Sequence, residues 1–348
     1  MAARYSRRQR GLPSAPVTEH QADSVNEDIQ GLIDGVTRAW DQVVKQVDEM
    51  IRGMPGPAPA PRSSPAAMSD GELREALLAA ASSLIAAIDP ARQATFPVHE
   101  DPRWRFNLPA TVETHMRAMF TEASDAFGLA VTGLGDHASS AGLGAIGRLA
   151  EILVRARWLV EPADATLRRE RGYALTADAI TWLRKTSGRA EDVGEVGQPD
   201  LAGDIADRAE TMTTRLAEIR QDDGLQPVQV PKPRKLLDAY LPGSGLALFA
   251  LLTAAGSRPG AAPSALFYSE PHVSNATYSF QRLHITRAYW LAQATALYAH
   301  LCDTAVPVLG RDDWKEVIAT AEIRLRPLSQ EAERRYQRRL QRGLHPGL

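Results

Sequence analysis

The chain has 348 residues, 44% of them apolar and 24% charged, with a formal net charge of −2. That apolar content excludes general disorder, and the near-neutral balance excludes a molecule drawn as a whole to nucleic acid or anionic membrane. One cysteine, Cys302, excludes an internal disulfide or a cysteine-based zinc cluster.

Charge is unevenly spread. Residues 1–10 hold four arginines and no acid, 191–223 hold ten acids against three arginines, and 324–348 hold seven arginines against two glutamates. Thirty-five arginines against five lysines fit a GC-rich bacterial coding sequence. The N-terminus has no apolar segment after its charges, and the longest apolar run, 245–256, is about half a membrane span. A soluble, cytoplasmic protein is expected.

Residues 1–23 read as a disordered basic tail. In 24–52, Ile29, Val36, Val43 and Met50 recur every seven residues beside a second series, Ile33, Trp40 and Val47. This alternating four-and-three spacing predicts an amphipathic, coiled-coil-like helix, either a homo-oligomerisation arm or a helix packed back on its own domain. The Pro- and Ala-rich stretch 53–67 reads as a semi-extended linker, which makes the helix a tethered arm.

The body, 68–348, is expected to be a multi-helix bundle with a break near 221–235. Ser69 and Glu72 have capping-box spacing, and the helix they open is expected to end at Asp89-Pro90. A loop over 90–108 follows, and Pro109 opens a second helix that closes near Gly133–Gly135. The third, 140–160, is apolar almost all round: Arg148, Glu151 and Arg155 share one narrow polar strip, while Arg157 falls inside the apolar arc. Glu161-Pro162 stops it. Helices are expected over 163–186 and 200–220, with a loop at 187–199. After the proline-rich break come short helices at 236–240 and 244–255, a long one at 275–303 and a last one at 311–342. No alternating strand pattern or internal repeat stands out, so the fold class is all-α.

The helix predicted over 275–303 repeats the oddity of 140–160. Its apolar stripe runs through Phe280, Leu283, Trp290, Leu291, Ala294, Leu297, Tyr298 and Leu301, with Arg287 in the middle and His284 at the edge. An arginine buried without a partner is costly. Arg157 and Arg287 are therefore expected to be neutralised between facing helices by an acid, with Glu113, Glu151 and Asp178 as candidates. The alternative is a polar pocket in which Arg157, Arg287, His284 and Glu151 hold an anionic small ligand. Near the C-terminus, Arg334, Arg335, Arg338, Arg339 and Arg342 are spaced to form a basic face around Tyr336 and Leu340. That face suits nucleic acid over 330–345 or an acidic protein surface, unless it is simply a solvated helix end.

No metal signature and no cofactor fingerprint is found. The eight histidines include no H-E-x-x-H. The glycines at 142, 144 and 147 formally match a dinucleotide motif but lack a preceding strand. No catalytic residue is assigned.

Two segments, Arg148–Pro162 and Leu236–Thr253, together resemble a group of uncharacterised all-helical actinomycete proteins, loosely similar to HEPN-type helical domains, over about 110–305. The resemblance implies a helical fold and, in HEPN ribonucleases, an R-x4–6-H motif whose histidine helps activate the RNA 2′-hydroxyl. The formal matches are Arg92…His99 and Arg338 or Arg339…His345. Neither pair falls on a core helix, and the His-Gly step of the group is Gly256-Ser257 here. The resemblance thus implies the fold more than the activity. The expected function is a non-catalytic, self-associating helical interaction or scaffold protein, with an RNA-binding or RNA-cleaving protein and an anion sensor as the alternatives.

Overall fold

The structure is a computed structural model that describes residues 64–93, 101–135, 139–193, 199–243, 248, 272–274, 277–279 and 284–344. The basic tail, the heptad arm, most of 53–67 and nearly all of the helix expected at 244–255 lie outside the described residues. The chain is all-α, a bundle of helices packed against one another. A 3-10 turn, Pro65–Ala67, leads into α1, Asp70–Gln93. Next come α2, Val112–Gly135; α3, Ser139–Val160; α4, Ala165–Val193; and α5, Pro199–Asp222. The chain continues with α6, Pro233–Tyr240; α7, His284–Leu309; and α8, Asp313–Leu344.

Local chemistry sets several of these ends. The capping box forms as its spacing implies: the Ser69 N–H donates to Glu72 Oε2 at 2.6 Å, and the Glu72 N–H donates to Ser69 Oγ at 3.2 Å. Hydrogen bonds from the Ser69 backbone and side chain hold the Glu72 carboxyl below its ordinary range. Helix α1 runs through Pro90 to Gln93 instead of stopping at Asp89. Helix α2 begins at Val112, where Thr111 and Thr114 cap each other's N–H groups at 2.9 and 3.2 Å, so Pro109 lies before the helix. Gly224, with φ 64°, ends α5 with the Leu225 N–H returning to the Arg220 carbonyl at 2.9 Å. Gly310, φ 63°, ends α7 the same way, through Arg311 and Val306.

Helix α4 runs to Val193, into the loop expected at 187–199, and a larger departure lies ahead of α7. The predicted helix over 275–303 starts instead at His284 and runs to Leu309, through an internal Pro307. Residues ahead of it form a short antiparallel ladder, β1 (His272–Ser274) with β2 (Thr277–Ser279), in the register His272–Ser279, Val273–Tyr278, Ser274–Thr277. Val273 and the Thr-Tyr pair at 277–278 suit a pleat better than a helix, a signal too short to outweigh the helical stripe beside it.

Helix α7 is the axis of the main core. Eighteen of its 26 residues are buried, and it packs against α1, α2, α3 and α8. Around it lie Leu77, Phe120, Phe127, Leu149, Leu153 and Trp314, each at most 1% exposed. Phe127 stacks on Tyr298 at 4.4 Å, Phe120 stacks on Trp314 at 4.7 Å, and the Tyr298 hydroxyl bonds Ser124 Oγ at 2.8 Å. A second, smaller core joins α4 and α5 to the loop 101–110 through Trp104, Tyr173, Ile180, Met212, Leu216 and Ile219. The proline-rich stretch before α6 is pinned here. Glu170, 2% exposed, accepts Arg220 Nη2 at 2.7 Å, Arg220 Nε at 3.0 Å and the Val228 N–H at 3.0 Å. No helix among the described residues is long and apolar enough to cross a membrane.

Candidate functional site

The four residues expected to form an anion pocket sit in four different settings. Arg287, 3% exposed, donates from Nε to the Leu134 carbonyl at 2.6 Å and from Nη2 to the Gly135 carbonyl. These are the last carbonyls of α2, where a cation meets the negative end of the helix. Arg157 is half-buried, and its Nη1 reaches the Tyr240 carbonyl, at the end of α6, at 3.4 Å. Burial holds its pKa down, with the Asp303 charge opposing, and His300, also pushed down by burial, feels the Arg157 charge. Arg287 and His300 are thirteen residues apart on α7, so about 20 Å of helix separates the two arginines. The shared acid expected between them is therefore corrected: each guanidinium meets carbonyls at the end of a different helix.

Glu151, 9% exposed, serves other arginines. It accepts Arg148 Nη1 at 3.0 Å and Arg155 Nε at 3.1 Å, while Arg148 reaches Glu122 and Arg155 reaches Asp178 at 3.2 Å. The polar strip of α3 is thus a ladder that ties α2, α3 and α4 together, and two of the acids considered for Arg157 and Arg287 are committed to it. His284 is exposed at the start of α7.

The C-terminal arginines divide in two. Arg335 is spent on the fold: Nε bonds Glu331 at 2.6 Å, Nη1 bonds Asp70 at 2.7 Å, and Nη2 reaches the carbonyls of Met68, Pro65 and Ala66 at 2.7, 3.2 and 3.3 Å. It staples the 3-10 turn, Pro65–Ala67, at the end of the stretch expected to be linker, onto α8. Arg334 bonds Glu331 Oε2 through Nε at 2.9 Å, with half its side chain exposed. These two arginines outweigh burial and hold the Glu331 carboxyl below its ordinary range. Arg338 and Arg339 are exposed and form no ion pair among the described residues. The side chains of Arg342 and Leu340 lie outside the described residues. Tyr336 is buried, stacked on Tyr289 with ring centres 4.3 Å apart, so it is not on the basic face.

Together Arg334, Arg335, Arg338 and Arg339 line a crevice of about 650 Å³ with Ala66, Asp70, Ile285 and Glu331. Four guanidiniums against two carboxylates leave a surplus of two positive charges. The crevice opens where the chain from the arm enters the body. Sequence spacing located the arginines but not the turn at 65–67, which no pattern ties to residue 335.

Two wider grooves flank the loop 101–110 and were not foreseen. Arg103 bridges Asp101 (Nη2, 2.7 Å) and Asp223 (Nη1, 2.9 Å), and the Tyr173 hydroxyl donates to Asp101 at 3.0 Å. Hydrogen bonds from Arg103 hold Asp101 down to about 2, and burial lifts Tyr173 to about 12. The alternation Arg103-Trp104-Arg105-Phe106 was the available signal: arginines turn to the grooves while Trp104 enters the core. The grooves, about 830 and 750 Å³, mix carboxylates, hydroxyls and arginines, the first with one carboxylate in surplus and the second with one arginine.

Two groups able to do proton chemistry, His115 and Cys302, are buried. His115, 7% exposed, bonds Thr176 Oγ1 through Nε2 at 3.0 Å, and burial holds its pKa down to about 4. Thr176 in turn donates to the Pro109 carbonyl at 2.8 Å. The Cys302 thiol is pushed up by burial. Among the described residues no set of three or more His, Cys, Asp or Glu is placed to hold a metal ion. Comparison with protein-family models, curated proteins and solved structures returns no match to this chain.

Proposed function

We propose that this chain is a non-catalytic interaction protein that meets acidic protein surfaces through the α8 crevice and self-associates through its heptad arm, 24–52. The observation that supports the first part is the contrast within the crevice. Arg335 and Glu331 are tied to each other and to the fold, while Arg338 and Arg339 line the same crevice without a carboxylate partner among the described residues. Elsewhere, in the Glu151 ladder, the Asp101–Arg103–Asp223 bridge and the Glu170–Arg220 pair, cations and anions answer each other inside the fold. An acidic protein surface fits better than nucleic acid, because the aromatic ring beside the arginines, Tyr336, is turned into the core and offers no platform for a base.

The test uses the full chain with two fluorescent probes, a poly-glutamate peptide and a single-stranded RNA of equal length. Poly-glutamate should bind at low salt and weaken as salt rises, and R338E/R339E should weaken it at least tenfold. Unchanged binding by that variant would overturn the crevice, and preferential binding of the RNA would reassign the partner. Light scattering tests the second part: changing Ile33 and Trp40 to Asp should lower the mass, and an equal mass refutes self-association through the arm.

A further inference from the structure

The crevice lies at the root of a 63-residue segment, and that segment carries the complementary charge. From Glu19 to Asp34 there are five carboxylates (Glu19, Asp23, Glu27, Asp28 and Asp34) and no lysine or arginine. We infer that this acidic stretch docks, within the same chain, into the α8 crevice against Arg334, Arg338 and Arg339. The inference rests on the reading of the crevice as an acid-binding surface and names its resident occupant.

Three considerations support docking within one chain. The first is charge: the crevice has two positive charges in surplus, and its exposed guanidiniums sit one helical turn apart on α8. The second is reach. Residues 53–63, in the extended form that their prolines favour, span about 34 Å. Residues 35–52, helical as their heptads predict, span about 27 Å. A strap that leaves the body at Ser64 and turns back at the linker therefore returns Asp34 to within several ångströms of its own root. Ala66 and Asp70, at that root, line the crevice. A tether of this length holds the stretch at millimolar effective concentration, above what a second copy supplies.

The third is the face on which the acids lie. At 100° per residue, Asp23, Glu27 and Asp34 cluster within about 40°, centred about 130° from the Ile29, Ile33, Val36 and Trp40 seam. The carboxylates can therefore enter the crevice while the apolar seam faces away, open to another helix. Docking would then fix where the self-association seam is displayed. Arg38 and Lys45 join the acidic face further along the arm, which confines the purely acidic segment to its first half.

The experiment places nitroxide labels at N26C and Q341C in the full chain, the native Cys302 being buried, and measures their separation by pulsed electron resonance. Docking predicts a main population below about 25 Å, roughly two helix diameters. A freely moving 38-residue tether would give a broad distribution around 34 Å. R338E/R339E should abolish the short population, and adding D23K/E27K/D28K to that variant should restore it. Neutralising all five acids to Asn or Gln should also tighten poly-glutamate binding about tenfold, because the internal competitor is gone. A broad distribution in the native chain, or a short one that vanishes on dilution with unlabelled protein, overturns docking within the chain. If poly-glutamate still binds through Arg338 and Arg339 in that case, the crevice reading stands and only its proposed occupant falls.

Discussion

The two cores are held together by different means. Around α7 the contacts are mainly apolar, and the helices meet through Leu, Ala, Phe, Tyr and Trp side chains with 0–9% exposure. The α4–α5 core is smaller and closes with ions: Glu170 to Arg220 and the Val228 N–H, Arg103 across Asp101 and Asp223, and the Tyr173 hydroxyl on Asp101. A large apolar core tolerates the loss of any one polar bond. A small one that ends in buried charges is vulnerable to the loss of a single partner. The comparison separates what stabilises this molecule from what specifies the position of its loops.

The largest expected effect lies in the smaller core. R220A leaves the Glu170 carboxylate 2% exposed and without its bidentate cation. A cost of about 3–5 kcal/mol is expected, measured as a shift in the urea midpoint. The paired replacement E170Q/R220M should recover more than half of that loss. If R220A alone costs less than about 1 kcal/mol, the value of an exposed pair, the account of this core as ion-closed is wrong.

Next comes acid. His115 is buried neutral, with a folded pKa near 4 against an ordinary value of 6.5. The unfolded chain therefore binds its proton first. The associated stability is fully present above pH 6.5 and is lost as pH falls through 6.5 towards 4. The loss is of order 3 kcal/mol. Asp101 acts at lower pH: its folded value near 2, against an ordinary 3.8, gives stability that is present above pH 3.8 and lost between 3.8 and 2. Urea midpoints of the native chain and of H115Q across pH 4–7 check the first step. The slope in that window should flatten in H115Q, and an equal slope in both proteins would remove His115 as its origin.

How much of this was legible follows the same division. Periodicity finds apolar faces, so α2, α3, the buried stripe of α7 and the capping box at Ser69–Glu72 were all foreseeable. Ion pairs between distant segments carry no period. Nothing in the sequence ties Arg335 to Pro65, Ala66 and Met68, or Glu170 to Val228, because a local pattern contains no information about which loop passes beside which helix. The prolines at 227, 231 and 233 mark the break expected near 221–235, but the helix before it ends earlier, at Gly224. What fixes it in place is a carboxylate some fifty residues earlier in the chain. The arginine face of α8 was visible as spacing, but its division into the embedded Arg335 and the exposed Arg338 and Arg339 needed the turn at 65–67.

The smallest predicted effect concerns the two arginines that looked equivalent. Both fall on apolar faces, and the sequence treats them alike. In the structure, Arg287 is 3% exposed and bonds the Leu134 and Gly135 carbonyls at the end of α2. Arg157 is half-buried, with a 3.4 Å bond to Tyr240 and a pKa held down by burial. R287M removes donors from buried helix-end carbonyls, which costs about 1–3 kcal/mol. R157M removes a partly desolvated charge and keeps most of its aliphatic stem, so its stability should change by less than about 0.5 kcal/mol in either direction. The difference between the two variants is the informative quantity, since global errors in the denaturant extrapolation cancel in it. Equal losses would restore the equivalence implied by the sequence. A loss larger at Arg157 than at Arg287 would mean that the α3–α6 junction, not the end of α2, is where this fold depends on a buried cation.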